Sequence, residues 1–324
     1  MPTRNRYYTG PVSDHFDGTR FHLPGQPLPD RSLREVWRWH REGNRADWPA
    51  QVPVTPDTPP ARSETPRISM IGHATILIQV AGLNILTDPV WSERASPFQF
   101  AGPRRVTAPG VAFDDLPRID AVLVSHNHYD HLDLATLRRL VDRDDPRLIA
   151  PLGNDAILRK ARRARITTGD WHDRIDVGQD STVTLTPSNH WSARGLRDRR
   201  MALWSGFWID TPHGAIWFAG DTGYGDGAVF RDLHGRYGAP DIALIPIGAY
   251  EPRWFMAPQH VAPDEAVKIF HDIGAPQALG FHWGTFQLTD EPREEPVTLL
   301  QNALAAAGIA PGRFRPLAPG DVHG

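Results

Sequence analysis

A cluster of metal-binding side chains directly follows an apolar run near the middle of the chain. The run spans 121–124, and the residues after it include His126, His128, Asp130 and His131. A continuous apolar run is typical of a strand buried on both faces. Because alternate residues of an extended segment point the same way, His126 and His128 can face one metal ion. Asp130 and His131 lie at the start of the next predicted helix, where they can reach a second ion and where Asp130 could also act as the helix cap.

Three further polar residues lie at the ends of predicted strands. His190 follows the segment 182–186, Asp221 follows 215–219 and His282 follows 278–281. Taken singly, each would more often be a structural residue, but all three share the strand-end placement of the cluster. Together with the cluster they could hold two metal ions side by side. Such a pair activates water near neutral pH and clamps a phosphoryl or acyl group, so the sequence predicts a two-metal hydrolase.

Composition restricts how such a site can be built. The chain of 324 residues has no cysteine, which excludes disulfides, thiolate nucleophiles, cysteine-bound zinc and iron–sulfur clusters. Metal ligands must therefore be histidines and carboxylates. The balance of 35 basic and 38 acidic residues gives a net charge of -3, which offers no overall attraction to nucleic acid. We expect no nucleic-acid partner.

Residues 1–66 are predicted to form an N-terminal extension with a proline-rich linker, and residues 67–324 a single hydrolase domain. Short apolar segments predict strands at 68–71, 76–80, 84–87, 121–124, 182–186, 202–209, 215–219, 242–247 and 278–281. Helical spacing predicts helices at 32–41, 132–141, 154–164, 263–273 and 297–307. Several strands precede the first helix of each half. We therefore expect an α/β (α+β) fold, a four-layer αββα sandwich of two mixed β-sheets flanked by helices.

The chain resembles the metallo-β-lactamase fold superfamily. Within it, the sequence is most similar to the N-acylphosphatidylethanolamine-hydrolysing phospholipase D group and its bacterial relatives. The His cluster is specific to the superfamily, and the long segment 247–256 points to the subgroup. The matching segments are 71–75, 86–89, 94–97, 125–133, 218–224, 246–256 and 282–286.

This resemblance implies a role for each residue of the predicted site. His126, His128 and His190 would bind the first zinc ion. Asp130, His131 and His282 would bind the second, and Asp221 would bridge the two. Catalysis is assigned to Asp130, Asp221 and His260, the last of which lies near the substrate phosphate in the family. The resemblance implies zinc, although manganese or iron would also suit these ligands.

Four further residues are candidates for supporting the ligands or contacting substrate. Asp88 and His73 could orient ligand side chains through hydrogen bonds. Tyr250 and Arg253 could meet the phosphodiester anion, and Arg253 could equally form a structural ion pair. The loop 192–200 contains four arginines, which we interpret mainly as solvated surface and, as a minority hypothesis, as a contact for anionic phospholipid head groups.

The preferred function is a phosphodiesterase of phospholipase D type that acts on N-acyl phosphatidylethanolamine-like phospholipids. The first alternative is a lactonase or another acyl (C–O or C–N) hydrolase of the same superfamily. A di-iron redox protein is the less favoured alternative, because the position of His128 carries Glu in that branch.

The N-terminus has no apolar segment of the kind found in secretory signals, so we expect a cytoplasmic protein. A cytoplasmic protein that also associates with a membrane surface is compatible with the same sequence. The resemblance implies a homodimer, for which the chain itself gives no independent sign.

Overall fold

The computed structural model describes residues 4–28, 30–162 and 164–324. The strands in these residues are β1 (Arg67–Gly72), β2 (Thr75–Val80), β3 (Leu83–Thr87), β4 (Ala121–Leu123), β5 (Arg147–Pro151), β6 (Arg165–Gly169), β7 (Arg174–Gly178), β8 (Ser181–Thr186), β9 (Gly206–Thr211), β10 (Gly214–Phe218), β11 (Ile242–Pro246), β12 (Gln277–Phe281), β13 (Phe314–Pro316) and β14 (Val322–His323). The helices are α1 (Leu33–Glu42), α2 (Leu134–Asp144), α3 (Asp155–Leu158), α4 (Ala228–Tyr237), α5 (Arg253–Met256), α6 (Pro263–Ile273) and α7 (Glu295–Ala306). Short 3₁₀ turns occupy Phe113–Asp115, Arg159–Ala161 and Pro311–Arg313.

The strands form two mixed sheets of seven strands with the same internal plan. The first sheet has the order β14-β1-β2-β3-β4-β5-β6, and the second has the order β13-β12-β11-β10-β9-β8-β7. In the first sheet, the pairs from β14 to β3 are antiparallel and those from β3 to β6 are parallel. In the second, the pairs from β7 to β10 are antiparallel and those from β10 to β13 are parallel.

The two sheets pack face to face with helices outside them. Ile76 and Ile85 of the first sheet share one buried cluster with Phe207, Phe218 and Leu244 of the second. The outer face of the first sheet packs against α2, and the outer face of the second packs against α4, α6 and α7. The predicted four-layer αββα sandwich of two mixed sheets is confirmed.

Two of the predicted elements differ from the observed bounds by four residues or more. The segment 202–209 becomes a strand only at Gly206, because Ala202 to Ser205 form a buried loop whose Trp204 packs against Phe16 and Phe21. The helix predicted at 154–164 is only α3 followed by a 3₁₀ turn. The structure also contains β5, β6, β7, β13, β14, α4 and α5, which the apolar patterns did not predict.

The start of α2 differs from the prediction in its capping residue. The side chain of Asp133 accepts a hydrogen bond from the backbone nitrogen of Ala135 at 2.9 Å and forms the N-cap. Asp130, which could have filled this role, instead points its carboxylate at His73. This leaves Asp130 available to the histidine cluster.

The N-terminal residues lie against the body of the protein. Phe16 and Phe21 are buried with Leu203 and Trp204, and His15 contacts Asp170 at 2.8 Å. Helix α1 begins with a capping box formed by Ser32 and Glu35. The division of the chain at residue 66 stays a prediction. Within the described residues, no helix combines the length and apolar character needed to cross a bilayer.

Candidate metal centre

The predicted ligands come together at one end of the two sheets, where several strands finish. His126 follows β4, His190 follows β8, Asp221 follows β10 and His282 follows β12. His73 lies in the turn between β1 and β2, and its φ of 57° is left-handed, as are those of Asp88 (33°) and His282 (67°). Left-handed φ values at residues other than glycine cost energy and are often found at functional sites. The fold therefore holds these side chains at a defined place at an energetic cost.

Three histidines form the first potential ligand group. The Nε2 atom of His126 lies 2.8 Å from Nδ1 of His128, which lies 3.3 Å from Nε2 of His190. Their nitrogens are close enough together to hold one metal ion. A tetrahedral zinc site with Zn–N bonds of about 2.0–2.1 Å has ligand nitrogens about 3.3 Å apart. The spacing of His128 and His190 matches this value, and that of His126 and His128 is shorter.

A second group lies beside the first. The Nε2 atoms of His131 and His282 are 3.2 Å apart. Oδ2 of Asp130 lies 3.4 Å from Nε2 of His131 and 3.6 Å from Nε2 of His282. His73 also joins this group, with its Nε2 atom 2.9 Å from Oδ2 of Asp130. Three histidines and a carboxylate thus converge on a second potential metal position, and His131, His282 and Asp130 are the predicted ligands among them.

Asp221 lies between the two groups. Its Oδ2 atom is 3.1 Å from Nε2 of His131, and its Oδ1 atom is 3.1 Å from Nε2 of His282. Towards the first group, Oδ2 is 3.7 Å from Nε2 of His190 and 4.0 Å from Nε2 of His126. One carboxylate within reach of both sets is the arrangement expected of a bridging ligand.

Hydrogen bonds on the outer side fix which nitrogen of three histidines faces the site. Nδ1 of His131 contacts Oδ2 of Asp88 at 2.7 Å, and Nδ1 of His190 contacts the carbonyl of Gln259 at 2.9 Å. Neither oxygen can donate a proton if Asp88 is ionised, so each Nδ1 must donate. Nδ1 of His126 contacts the hydroxyl of Ser125 at 2.9 Å, and that hydroxyl donates to Asp88. Each Nε2 then points inward: those of His126 and His190 carry a lone pair, and that of His131 offers one once a metal cation replaces its proton, which fits a metal site.

Burial sets the charge of the first group. Burial in the apolar interior, with help from neighbouring histidines, lowers the pKa of His128 to about 3. Burial also lowers the pKa of His190 to about 4, against the opposing charge of Asp221. Both rings are therefore neutral near pH 7, which is the form that binds metal.

The carboxylates produce the opposite effect in the second group. Burial lowers the pKa of His282, but the charge of Asp221 and hydrogen bonds to Asp130 and Asp221 outweigh it and raise that pKa to about 9. The charge of His131 keeps the pKa of Asp221 well below its usual range despite burial. Positive charge is thus stabilised beside Asp130 and Asp221, and a metal cation would satisfy the same carboxylates.

The centre is partly accessible at three of its members, His128, Asp130 and His260. The side chain of Asp130 is 13% exposed and that of His260 is 10% exposed, whereas the other carboxylate, Asp221, is only 2% exposed. The Nδ1 atom of His260 is 3.9 Å from Oδ2 of Asp221. A substrate can therefore approach between Asp130 and His260.

Tyr250 and Arg253 are engaged within the protein. The hydroxyl of Tyr250 donates to Glu295 at 2.9 Å, and its pKa is raised by burial and by this bond. Arg253 donates to the carbonyl of His260 at 2.9 Å and to Glu265 at 2.6 Å. The structure thus gives Arg253 an ion pair and a hold on the backbone of His260, and the contact of either residue with a substrate anion stays a prediction.

Ser125 and Gln259 were not among the predicted site residues. Ser125 joins Asp88 to His126, and the backbone of Gln259 holds His190. Ser125 directly precedes His126 and Gln259 directly precedes His260. The hydroxyl of Ser125 beside a predicted ligand could have indicated its role. A backbone carbonyl such as that of Gln259 carries no side-chain signal, so only the fold reveals its role.

Comparison with known proteins gives one family match. A family model described as a β-lactamase superfamily domain matches residues 83–283. The chain is 37% identical over 246 residues to N-acyl-phosphatidylethanolamine-hydrolyzing phospholipase D 1 of Caenorhabditis elegans, covering 73% of this chain and 69% of that protein. It is also 37% identical over 226 residues to the mitochondrial enzyme of the same name from Saccharomyces cerevisiae, covering 68% of this chain and 48% of that protein.

Among solved structures, an isothiocyanate hydrolase from Delia radicum gut bacteria is similar in fold. Its TM-score is 0.64 at 20% identity, and the match covers 80% of this chain and 98% of that one. At this level of identity the likeness concerns the fold alone.

Proposed function

Since this chain belongs to the metallo-β-lactamase superfamily of metal-dependent hydrolases, we propose that it is a zinc-dependent phosphodiesterase of the phospholipase D type. Its proposed substrates are N-acyl phosphatidylethanolamine-like phospholipids. The observation that carries the proposal is the placement of Asp221 between two ligand groups, which suits a two-metal hydrolase. The 37% identity to the Caenorhabditis elegans enzyme supports the choice of substrate.

The ligand assignment follows the two groups. His126, His128 and His190 would hold one ion, Asp130, His131 and His282 the other, and Asp221 would contact both. When bound, such a pair of ions lowers the pKa of water and neutralises charge on a phosphoryl group. The inward-facing lone pairs of the histidines are the feature of this chain that prepares the site for them.

Residues of the chain then orient the reactants. Asp130, the more exposed of the two carboxylates, would accept a hydrogen bond from the attacking water. The Nε2 atom of His73 lies 2.9 Å from Oδ2 of Asp130 and orients this carboxylate. His260 lies on the other side of the opening, where it would donate a hydrogen bond to a phosphate oxygen or a proton to the leaving oxygen. Arg253 fixes the backbone of His260 through its carbonyl.

A substrate screen tests the proposal against acyl hydrolysis. The zinc-loaded protein would be assayed with bis(p-nitrophenyl) phosphate, an N-acyl phosphatidylethanolamine, a homoserine lactone and nitrocefin. We expect turnover of the two phosphodiesters and little of the lactone or nitrocefin. Turnover of the lactone or nitrocefin alone would overturn the proposal in favour of an acyl hydrolase.

A metal exchange addresses the di-iron alternative. The protein would be purified from medium supplemented with either zinc or iron, and the metal content and redox activity of both preparations would be measured. We expect hydrolysis by the zinc form and no redox turnover by the iron form. Iron-dependent redox turnover without hydrolysis would favour the di-iron alternative.

A further inference from the structure

A hairpin-like loop between β3 and β4 presents two aromatic rings to solvent. Its sides are joined by hydrogen bonds from the backbone nitrogen of Ala95 to the carbonyl of Pro103 (3.1 Å) and from that of Arg105 to the carbonyl of Glu93 (2.7 Å). At the tip, Phe98 is 53% exposed and Phe100 is 80% exposed, with ring centroids 5.3 Å apart. Adjacent exposed aromatic rings commonly mark an interaction site. We call residues 96–102 the aromatic tip.

The aromatic tip is held in this shape from below. Arg94 donates to the carbonyls of Gln99 at 3.0 Å and Gly102 at 2.6 Å. The hydroxyl of Ser96 accepts from the backbone nitrogen of Phe98 at 3.1 Å. The two rings are therefore displayed by a loop with internal hydrogen bonds, and little ordering is required when they bind.

A basic groove of about 440 Å³ lies beside the aromatic tip. Its walls include Arg45, Arg94 and Arg104 together with Trp48, and none of the residues that line it is acidic. Glu93 reaches Arg104 at 3.4 Å, but both side chains are largely exposed, so the pair is weak. The surface around the aromatic tip thus favours an anionic partner.

The base of the loop contacts the wall of the metal centre. Val90 and Ala95 pack with Phe286, and the guanidinium of Arg105 lies over the ring of Phe286 at 4.7 Å. The ring of Phe286 is 5.3 Å from that of His73. The base of the loop is therefore joined through Phe286 to His73, the residue that contacts Asp130.

The arginines of the loop 192–200 are less suited to such a contact. Arg194 donates to the carbonyls of Asn127 and Leu132, and Arg200 pairs with Asp30 at 2.8 Å. Arg200 is buried and paired with the carboxylate of Asp30, so the lipid hypothesis for that loop loses one of its four charges.

We propose that the aromatic tip and the basic groove form a docking surface for an anionic phospholipid bilayer. The proposal rests on the proposed function, in that a phospholipid substrate lies in such a bilayer. Aromatic side chains insert at the boundary of head groups and acyl chains, while arginines bind the lipid phosphates. Two rings are far less than the roughly 800 Å² per partner of a standard protein interface, which favours a membrane over a protein partner.

Vesicle binding without turnover tests the surface independently of the reaction. The metal-loaded protein would be sedimented with vesicles of phosphatidylcholine alone or mixed with phosphatidylglycerol, neither of which contains an N-acyl phospholipid. We expect stronger binding to the mixed vesicles. F98S/F100S should weaken binding about tenfold or more, and R104Q should weaken it about fivefold on the mixed vesicles only. L299S, which removes an exposed leucine from α7, is the matched control and should bind as the parent does.

A single fluorescent label locates the contact, because the chain has no cysteine of its own. A polarity-sensitive dye on Q99C should shift to the blue with mixed vesicles. The same dye on H213C, in the turn between β9 and β10 at the far end of that sheet from Asp221, should not. Hydrolysis of bis(p-nitrophenyl) phosphate by F98S/F100S should match the parent, which shows that the fold is intact.

Three results would overturn the docking proposal. They are equal binding of parent and F98S/F100S to mixed vesicles, an unshifted Q99C dye, and a parent dimer in solution that F98S/F100S converts to monomers. Failure of the proposed function alone would look different, because the vesicle and dye results would stand while N-acyl phospholipid remained uncleaved.

Discussion

Asp88 is bonded to candidate ligands of both groups, directly to His131 and through Ser125 to His126, and its replacement by Asn tests whether it sets their protonation. The carboxylate is fully buried and accepts from His131 through Oδ2 at 2.7 Å. It also accepts from the hydroxyl and backbone nitrogen of Ser125 at 2.6 and 2.7 Å. Asn has one acceptor oxygen and one amide group that donates, so it cannot repeat all three contacts.

The magnitude follows from the tautomer that Asn imposes. If the new oxygen keeps the backbone of Ser125, the amide group faces Nδ1 of His131 and donates to it. The proton of His131 then moves to Nε2, the atom that points at Asp221 and His282. Loss of such an outer partner typically lowers metal affinity about 10–100-fold, or about 1.4–2.7 kcal/mol.

Competition for zinc against a chromogenic chelator would measure this change for D88N and the parent. D144N is the matched control, since Asp144 is also buried and bonded, to Ile119 and Arg143, at the far end of α2. We expect parent-like zinc affinity for D144N. Unchanged zinc affinity in D88N, with circular dichroism confirming the fold, would refute the tautomer argument.

Replacing Asp221 with Asn should lower phosphodiester turnover by more than about 100-fold, since even outer partners cost up to that much; circular dichroism should be unchanged, and near-normal rates would contradict a shared ligand. R200A should release the N-terminal segment, because Arg200 binds the carbonyl of Phe21 and the carboxylate of Asp30. Chymotrypsin should then cleave R200A before residue 30 faster than it cleaves R197A, and equal rates would count against this role. W204A should lower the free energy of unfolding by about 3–5 kcal/mol, because the side chain of Trp204 is 1% exposed. Denaturant titration would measure this loss, and a loss no larger than that of W254A, at a tryptophan 38% exposed, would contradict the buried packing of Trp204.

The convergence of the candidate ligands was largely predictable because its signal is local in the sequence. His126 and His128 follow a buried strand at a spacing that places them on one side, and His190, Asp221 and His282 each follow a strand of their own. The structure brings all of these side chains together with Asp130 and His131. The partners Ser125 and Gln259 were missed because their role depends on hydrogen bonds that only the folded chain defines.

Four of the five missed strands, β6, β7, β13 and β14, have little apolar signal, whereas β5 has a short apolar run that was overlooked. β6 and β7 each begin with an exposed arginine, and only one residue in each is buried. β13 and β14 are very short and pair with distant strands. The opposite error, a strand predicted from residue 202, arose because Leu203 and Trp204 are apolar for another reason: they cover Phe16 and Phe21. An apolar pattern in the sequence indicates that residues are buried. It does not distinguish burial against the N-terminal segment from burial in a sheet.

The central claim is attack of water on phosphorus, and the fate of labelled oxygen tests it most directly. The zinc-loaded protein would hydrolyse an N-acyl phosphatidylethanolamine in ¹⁸O-water, and the products would be identified by mass spectrometry. The account predicts one ¹⁸O atom in phosphatidic acid, with unlabelled N-acylethanolamine. Release of ¹⁸O-labelled fatty acid, with the phosphodiester intact, would contradict it and identify an acyl hydrolase.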